Sequence, residues 1–347
     1  MKRIRYFDIL RSVSFIFIIF YHMMVQLYLS DICSYQKVSP FFENNNMHIA
    51  TLGVAVFFML SGASLMYTTS GKFDIKEFYK KRFVKILIPY YIAFGVYMLL
   101  VIFMNRSVHG IFPPGTPAWR IIFTFLGMDA WVYMHGYNTF TFGIGEWFLG
   151  CLMAMYLIFP ILRYLMLKNK KIFLAVATIL YLILIYNYHF DVAMHLNFFV
   201  KLYEFILGMM IGCCIKEVKP KWAFLSAPVM LFFLVFPYEI KINYALKITV
   251  FAVSFWFSIA CLEPWLNKLK LKCIDVISRY SYEAFLVHHV IIQILTEKFK
   301  IHINSHASVL VLFIIQLICI VIASVILKYT SSRVSSVLLK AGTKRRN

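Results

Sequence analysis

IATLGVAVFFMLSGASLMY, residues 49–67, runs for nineteen residues without a charged side chain. A helix rises about 1.5 Å per residue and a bilayer's hydrocarbon core is about 30 Å thick, so this run is long enough to cross one. At that depth no water is available to the backbone and an open strand cannot satisfy its own N–H and C=O groups, so the run is a helix. Comparable runs lie at 8–30, 86–104, 143–165, 172–187, 198–215, 222–237, 244–262, 281–297 and 307–328. The expected fold is all-α: a polytopic membrane protein with a bundle of about ten transmembrane helices, forming a single transmembrane domain over residues 1–347. The segment 121–134 is apolar but short and carries Asp129, which predicts a re-entrant or surface helix.

Composition agrees with lipid as the solvent. Of 347 residues, 62% are hydrophobic and 14% charged, against about 25% charged in a soluble domain. The net charge of +20 does not point to nucleic acid. The basic residues come in short blocks between apolar runs, as topology signals do, and build no basic face on a polar fold. With ten spans both termini share a side, and 26 of the 35 Lys and Arg fall on it, in the blocks 2–5, 72–85, 163–171, 216–221, 268–279 and 328–346. The positive-inside rule makes that side cytoplasmic. The opposite side has its longest segments at about 31–48 and 105–142, the second with Pro113-Pro114-Gly115 expected over the external mouth. The terminal Lys344-Arg345-Arg346 is expected to rest on anionic lipid.

The seven cysteines lie mostly inside apolar runs with no metal-ligand spacing, which argues against structural disulfides. The first run follows Lys2, Arg3 and Arg5, lacks an A-x-A-like cleavage site and contains Arg11 and His22, so it reads as a retained signal anchor.

Ionisable groups inside spans are costly and are functional candidates by default. Arg11 and His22 are eleven residues apart, about three turns, which places them on one helix face about 16.5 Å apart. A long ligand along that face would put an anionic end on Arg11 and its reactive end at His22. The bland alternative pairs Arg11 with Asp8 at i, i+3 and gives His22 an interhelical bond. Glu146, beside Trp147, would orient a histidine, bind an acceptor or simply meet water at a helix end; Glu204 is a weaker case of the same kind. His288 and His289 point about 100° apart and cannot both face one site. Ser61-Gly62 reads as close helix packing rather than as a nucleophile. No phosphate loop, metal pair or permanently bound cofactor is indicated.

Phe7-Asp8-Ile9-Leu10-Arg11 followed by His22 resembles the Arg-x10-His opening of the acyltransferase-3 family of membrane acyltransferases. Residues 53–62, GVAVFFMLSG, resemble its G-V-x-x-F-F-x-x-S-G segment. Arg82 followed by Pro89 resembles the entrance of its third span, and residues 281–288, SYEAFLVH, resemble its late S-Y-x-x-[FY]-L-x-H segment. The resemblance implies a cytoplasmic acyl-coenzyme A donor, usually of acetyl, and as acceptor a hydroxyl or amine of a surface glycan or its lipid-linked precursor. Its motifs mark His22 as the catalytic candidate and include His288, which is a second catalytic candidate or equally a structural interhelical bond; the coenzyme's phosphates suit Arg11, Arg82 and Lys85 at the cytoplasmic face. Lys85 stands where the family often has a second arginine, and loses the planar two-pronged donor that suits phosphate. Histidine suits the chemistry on its own terms, either as general base for a hydroxyl or as a covalent acyl carrier. A glycan-lipid transporter or flippase is the alternative, although the inverted repeats common in transporters are not visible. A scaffold without chemistry gives no reason for Arg11 and His22 on one face. The acceptor, the acyl group and the oligomeric state stay open.

Overall fold

The structure is a computed structural model that describes residues 3–34, 36–38, 43–44, 47–105, 116–137, 144, 146–214, 222–235, 241–266, 268, 272–303 and 305–344. Pro113-Pro114-Gly115, the basic block 216–221 and Arg345-Arg346 lie outside the described residues.

Among the described residues ten long helices fall on the ten apolar runs: α1 (Arg5–Leu29), α2 (Ile49–Thr68), α3 (Ile75–Asn105), α4 (Glu146–Lys168), α5 (Lys170–Tyr186), α6 (Phe198–Cys213), α7 (Trp222–Val235), α8 (Tyr244–Leu266), α9 (Lys272–Phe299) and α10 (His306–Lys344). Six of them, α1 to α4, α8 and α10, carry stretches long and apolar enough to cross a membrane. α5, α6 and α7 have only 17, 16 and 14 residues, and α9 is 28 residues long but carries charges along its length. A minimal antiparallel pair, β1 (Glu43–Asn44) with β2 (Met47–His48), precedes α2. The segment 121–134 forms two short helices, Ile121–Phe125 and Asp129–Met134, broken at Gly127 with φ of +67°. Neither is long enough to span, in keeping with the expectation for that stretch.

Three of the basic blocks that flank the apolar runs are wholly or partly helix. α3 begins at Ile75, α9 at Lys272, and α10 continues through Arg333 to Lys344. A helix satisfies its own backbone, so it can run beyond the apolar stretch while Lys and Arg side chains reach polar surroundings.

The described chain divides into two compact units: Met1–Phe73 with Ile158–Arg279, and Asp74–Leu157 with Tyr280–Asn347. In the first, α2 is sandwiched between α1 and α6. Gly53 and Gly62 are nine residues apart, two and a half turns, so they face opposite sides of α2. A methyl group on Gly53 would meet the Ser14 carbonyl of α1 at 2.7 Å, and one on Gly62 would collide with the Phe205 carbonyl of α6. α6 answers with Gly208 and Gly212, seated on the Met59 and Ala63 carbonyls. This small-xxx-small seam allows backbone to touch backbone where lipid supplies no hydrophobic drive for association. Leu10, Val56, Met59, Phe251 and Trp256 fill the core around it, with Phe7 edge-on to Trp256 at 5.3 Å.

In the second unit α3 packs along α10. Pro89 lacks the N–H that would bond the Lys85 carbonyl, loosening α3 one turn above its basic end. There the Tyr282 hydroxyl of α9 donates to the Ile86 carbonyl at 2.8 Å. Tyr90 and Tyr91 donate to the carbonyls of Thr124 and Phe125, both at 2.6 Å, and so fix the short helix against α3.

Candidate active site

In the first unit α1 is one unbroken helix, so Arg11 and His22 do share a face about 16.5 Å apart. The Arg11 end is dense with charge. Asp8 accepts from Arg3 Nε at 2.6 Å and from Ser278 Oγ at 2.7 Å. Arg11 Nη1 lies 3.4 Å from Asp8 Oδ1 and donates to Ser278 Oγ at 3.0 Å. Arg3 and Arg5 both bond Asp275, and Ser12 donates to the Ile274 carbonyl at 2.9 Å. Asp8 and Ser278 therefore lock the start of α1 to the first turns of α9. The i, i+3 pair with Asp8 is present, and it occupies part of the Arg11 guanidinium. His22 stands edge-on to Tyr21 at 5.2 Å between ring centroids, and Tyr21 in turn meets His48 at 5.4 Å.

Glu204 is fully buried and accepts from Lys201 Nζ at 2.8 Å, one turn earlier on α6; the side chains are 0% and 1% exposed. Its second oxygen, Oε2, has no partner among the described residues. Just before α6, burial pushes the His195 imidazole down to about 4, with Lys201 and His48 adding to the effect.

The second unit holds Arg82, Lys85, His288 and Glu146. The Arg82 guanidinium lies 5.8 Å from the Phe78 ring and 6.0 Å from that of Tyr156. Among the described residues no carboxylate pairs with Arg82 or Lys85, whereas Lys81 pairs with Glu77 at 3.1 Å. His288 is fully buried and its Nδ1 lies 2.8 Å from the Phe285 carbonyl. A carbonyl only accepts, so Nδ1 carries the hydrogen, and in the neutral imidazole the lone pair a general base needs is then on Nε2. Phe285 is itself set by Phe148 at 5.0 Å. Glu146 is the first residue of α4, and its side chain lies outside the described residues.

The structure thus brings Arg11 and His22 into one unit, and Arg82, Lys85 and His288 into the other. It also shows pairings that sequence reading passed over. Ser278 and Asp8 join across 270 positions, which no spacing rule reveals. Glu283 occupies a variable position of the late motif and bonds Lys328 Nζ at 2.8 Å; Lys328 had counted only as a topology charge.

The chain is thus a multi-pass helical membrane protein in which, among the described residues, Arg82 and Lys85 lack carboxylate partners at the start of one span. The acyltransferase-3 family model, an acyltransferase domain, matches residues 4–333, and the chain belongs to that family. It is also similar to the acyltransferase MdmB of Streptomyces mycarofaciens, at 29% identity over 123 residues, covering 33% of this chain and 30% of that protein. The match therefore spans less than a third of the relative's length. No solved structure matches the chain.

Proposed function

We propose that this protein moves an acyl group, acetyl in the simplest case, from cytoplasmic acyl-coenzyme A to a hydroxyl of a surface glycan or of its lipid-linked precursor. In this reading the ten helices cross a bacterial cytoplasmic membrane with both termini inside, since most Lys and Arg lie on that side. Arg82 and Lys85 hold the donor's phosphates, with Arg11 contributing what Asp8 and Ser278 leave of its guanidinium. His22 removes the acceptor hydroxyl's proton as that oxygen attacks the thioester carbonyl; the carbon–sulfur bond breaks and the thiolate leaves with the electron pair. If the acyl group is carried covalently, His22 first takes it from sulfur, its imidazole proton passing to the leaving thiolate, and then yields it to the hydroxyl, whose proton returns to the imidazole. His288, in the tautomer with a basic Nε2, serves as the second imidazole, and Glu146 orients a histidine or the acceptor.

The observation that carries this reading is the unbroken α1, which holds Arg11 and His22 on one face at a separation a pantetheine arm can bridge. The test is transfer of labelled acetyl in membranes containing wild type or His22→Ala. Loss of transfer with donor binding intact supports the assignment, and near-normal transfer removes it.

A further inference from the structure

Three cations stand within five residues of α3. Lys81 and Lys85 are four apart and Arg82 and Lys85 three apart, so they share a helix face and repel one another. α10 packs along α3 and adds a fourth, because Lys85 lies within electrostatic reach of Lys328 as well as of Arg82 and Lys81. Among the described residues two carboxylates answer these four cations: Glu77 takes Lys81, and Glu283 takes Lys328. Glu283 is the unusual member. Its side chain is 3% exposed, and Oε2 has no partner among the described residues. A buried carboxylate in a membrane helix is costly to keep. Its effect is to hold the Lys328 ammonium beside α3, where a long flexible side chain would otherwise swing away. The Lys328 side chain is 41% exposed, and an ammonium has three donors, of which Glu283 Oε1 takes one.

We propose that Lys328, positioned by Glu283, is a third contact for the donor's phosphates and completes with Arg82 and Lys85 a polyphosphate site. The proposal rests on the donor reading above and adds a residue from the far end of the chain to it. A coenzyme bearing both a pyrophosphate and a ribose phosphate matches a cluster of three cations better than any single phosphate does. Lipid headgroups offer the same phosphate chemistry, so the test must separate the two sources.

The full chain is placed in nanodiscs of neutral phosphatidylcholine, and coenzyme A is titrated by calorimetry. Arg82→Ala and Lys328→Met should each weaken binding about tenfold or more, and Lys328→Arg should keep most of it. The double variant Lys328→Met with Glu283→Gln leaves no orphaned charge, and it should stay as weak as Lys328→Met alone. Recovery of wild-type affinity in the double variant would mean that Lys328 merely neutralises Glu283, and would sink the proposal. If Arg82→Ala weakens binding and Lys328→Met does not, the Lys328 contact falls while the donor reading stands. If neither variant matters, both fall. If coenzyme A fails to bind and Lys328→Met instead loses phosphatidylglycerol retained in native mass spectrometry, the cluster is a headgroup site and the proposal is overturned.

Discussion

At the start of α1 the cations are already answered by the protein: Arg3 and Arg5 by Asp275, and Arg3 and Arg11 by Asp8. At the start of α3 Lys81 has a carboxylate, as does Lys328 of α10, while Arg82 and Lys85 have none among the described residues. Both regions look alike in sequence, as basic residues leading into an apolar run. They differ in whether a carboxylate sits opposite. A guanidinium that shares one nitrogen with a carboxylate and a serine stabilises the packing around it and keeps fewer of its donors for a ligand. Cations without such partners pay repulsion in the empty protein and recover it when an anion arrives. Under the proposed function the first region clamps the helices, carries the imidazole of His22 and adds to donor contact, and the second supplies most of the donor capture.

The largest effect that can break this division is at His22. His22→Gln should lower turnover by about 10²–10⁴, as expected for loss of a general base, while coenzyme A binding stays at wild-type strength. A Gln variant with near-normal turnover would move the chemistry to His288, where His288→Gln would then produce the large loss. The next test sets the two cation groups against each other. Arg82→Ala should weaken coenzyme A binding about tenfold or more with an unchanged melting temperature. Arg11→Ala should weaken binding less than Arg82→Ala does and should in addition cost about 1–3 kcal/mol of stability, since it strips Asp8 and Ser278 of a partner. Calorimetric binding alongside thermal unfolding reads both, and an exchange of the two outcomes would invert the comparison.

Helix packing sharpens the same contrast with a smaller effect. Gly208→Ala drives a methyl group into the Met59 carbonyl and should cost about 1–3 kcal/mol or more by overpacking. Gly95, on α3, has nothing within 4 Å of an added Cβ, so Gly95→Ala should be neutral or stabilise by up to about 1 kcal/mol through helix propensity. Thermal melts of the two variants in the same detergent give the comparison directly. The smallest expected effect concerns pH. His195 titrates near 4 in the folded protein and near 6.5 when unfolded. Between those values the unfolded chain binds the extra proton, so stability contributed at neutral pH is lost as pH falls from about 6.5 towards 4. His195→Gln should flatten that part of the stability profile, and an unchanged acid slope would show that other groups set it.

Much of this protein follows from its sequence alone. Positions of the long helices are set by apolar length, because a backbone in lipid must bond to itself and a helix does so using only its own residues. The shared face of Arg11 and His22 follows from helical periodicity, and the motif residues that mark the family lie in the open. Spacing also explains why Gly53 and Gly62 face opposite ways, although not what they face. Only the tertiary structure decided which charges are spent. The Asp8–Ser278 bond and the Glu283–Lys328 pair join residues 270 and 45 positions apart, and the repulsion around Lys85 depends on α10 lying beside α3. The tautomer of His288 rests on one carbonyl in its own helix, yet its burial needs neighbours that no local pattern names. Backbone satisfaction is a local demand and can be read along the chain, whereas charge compensation depends on which side chain stands opposite, and that is settled only when distant helices pack.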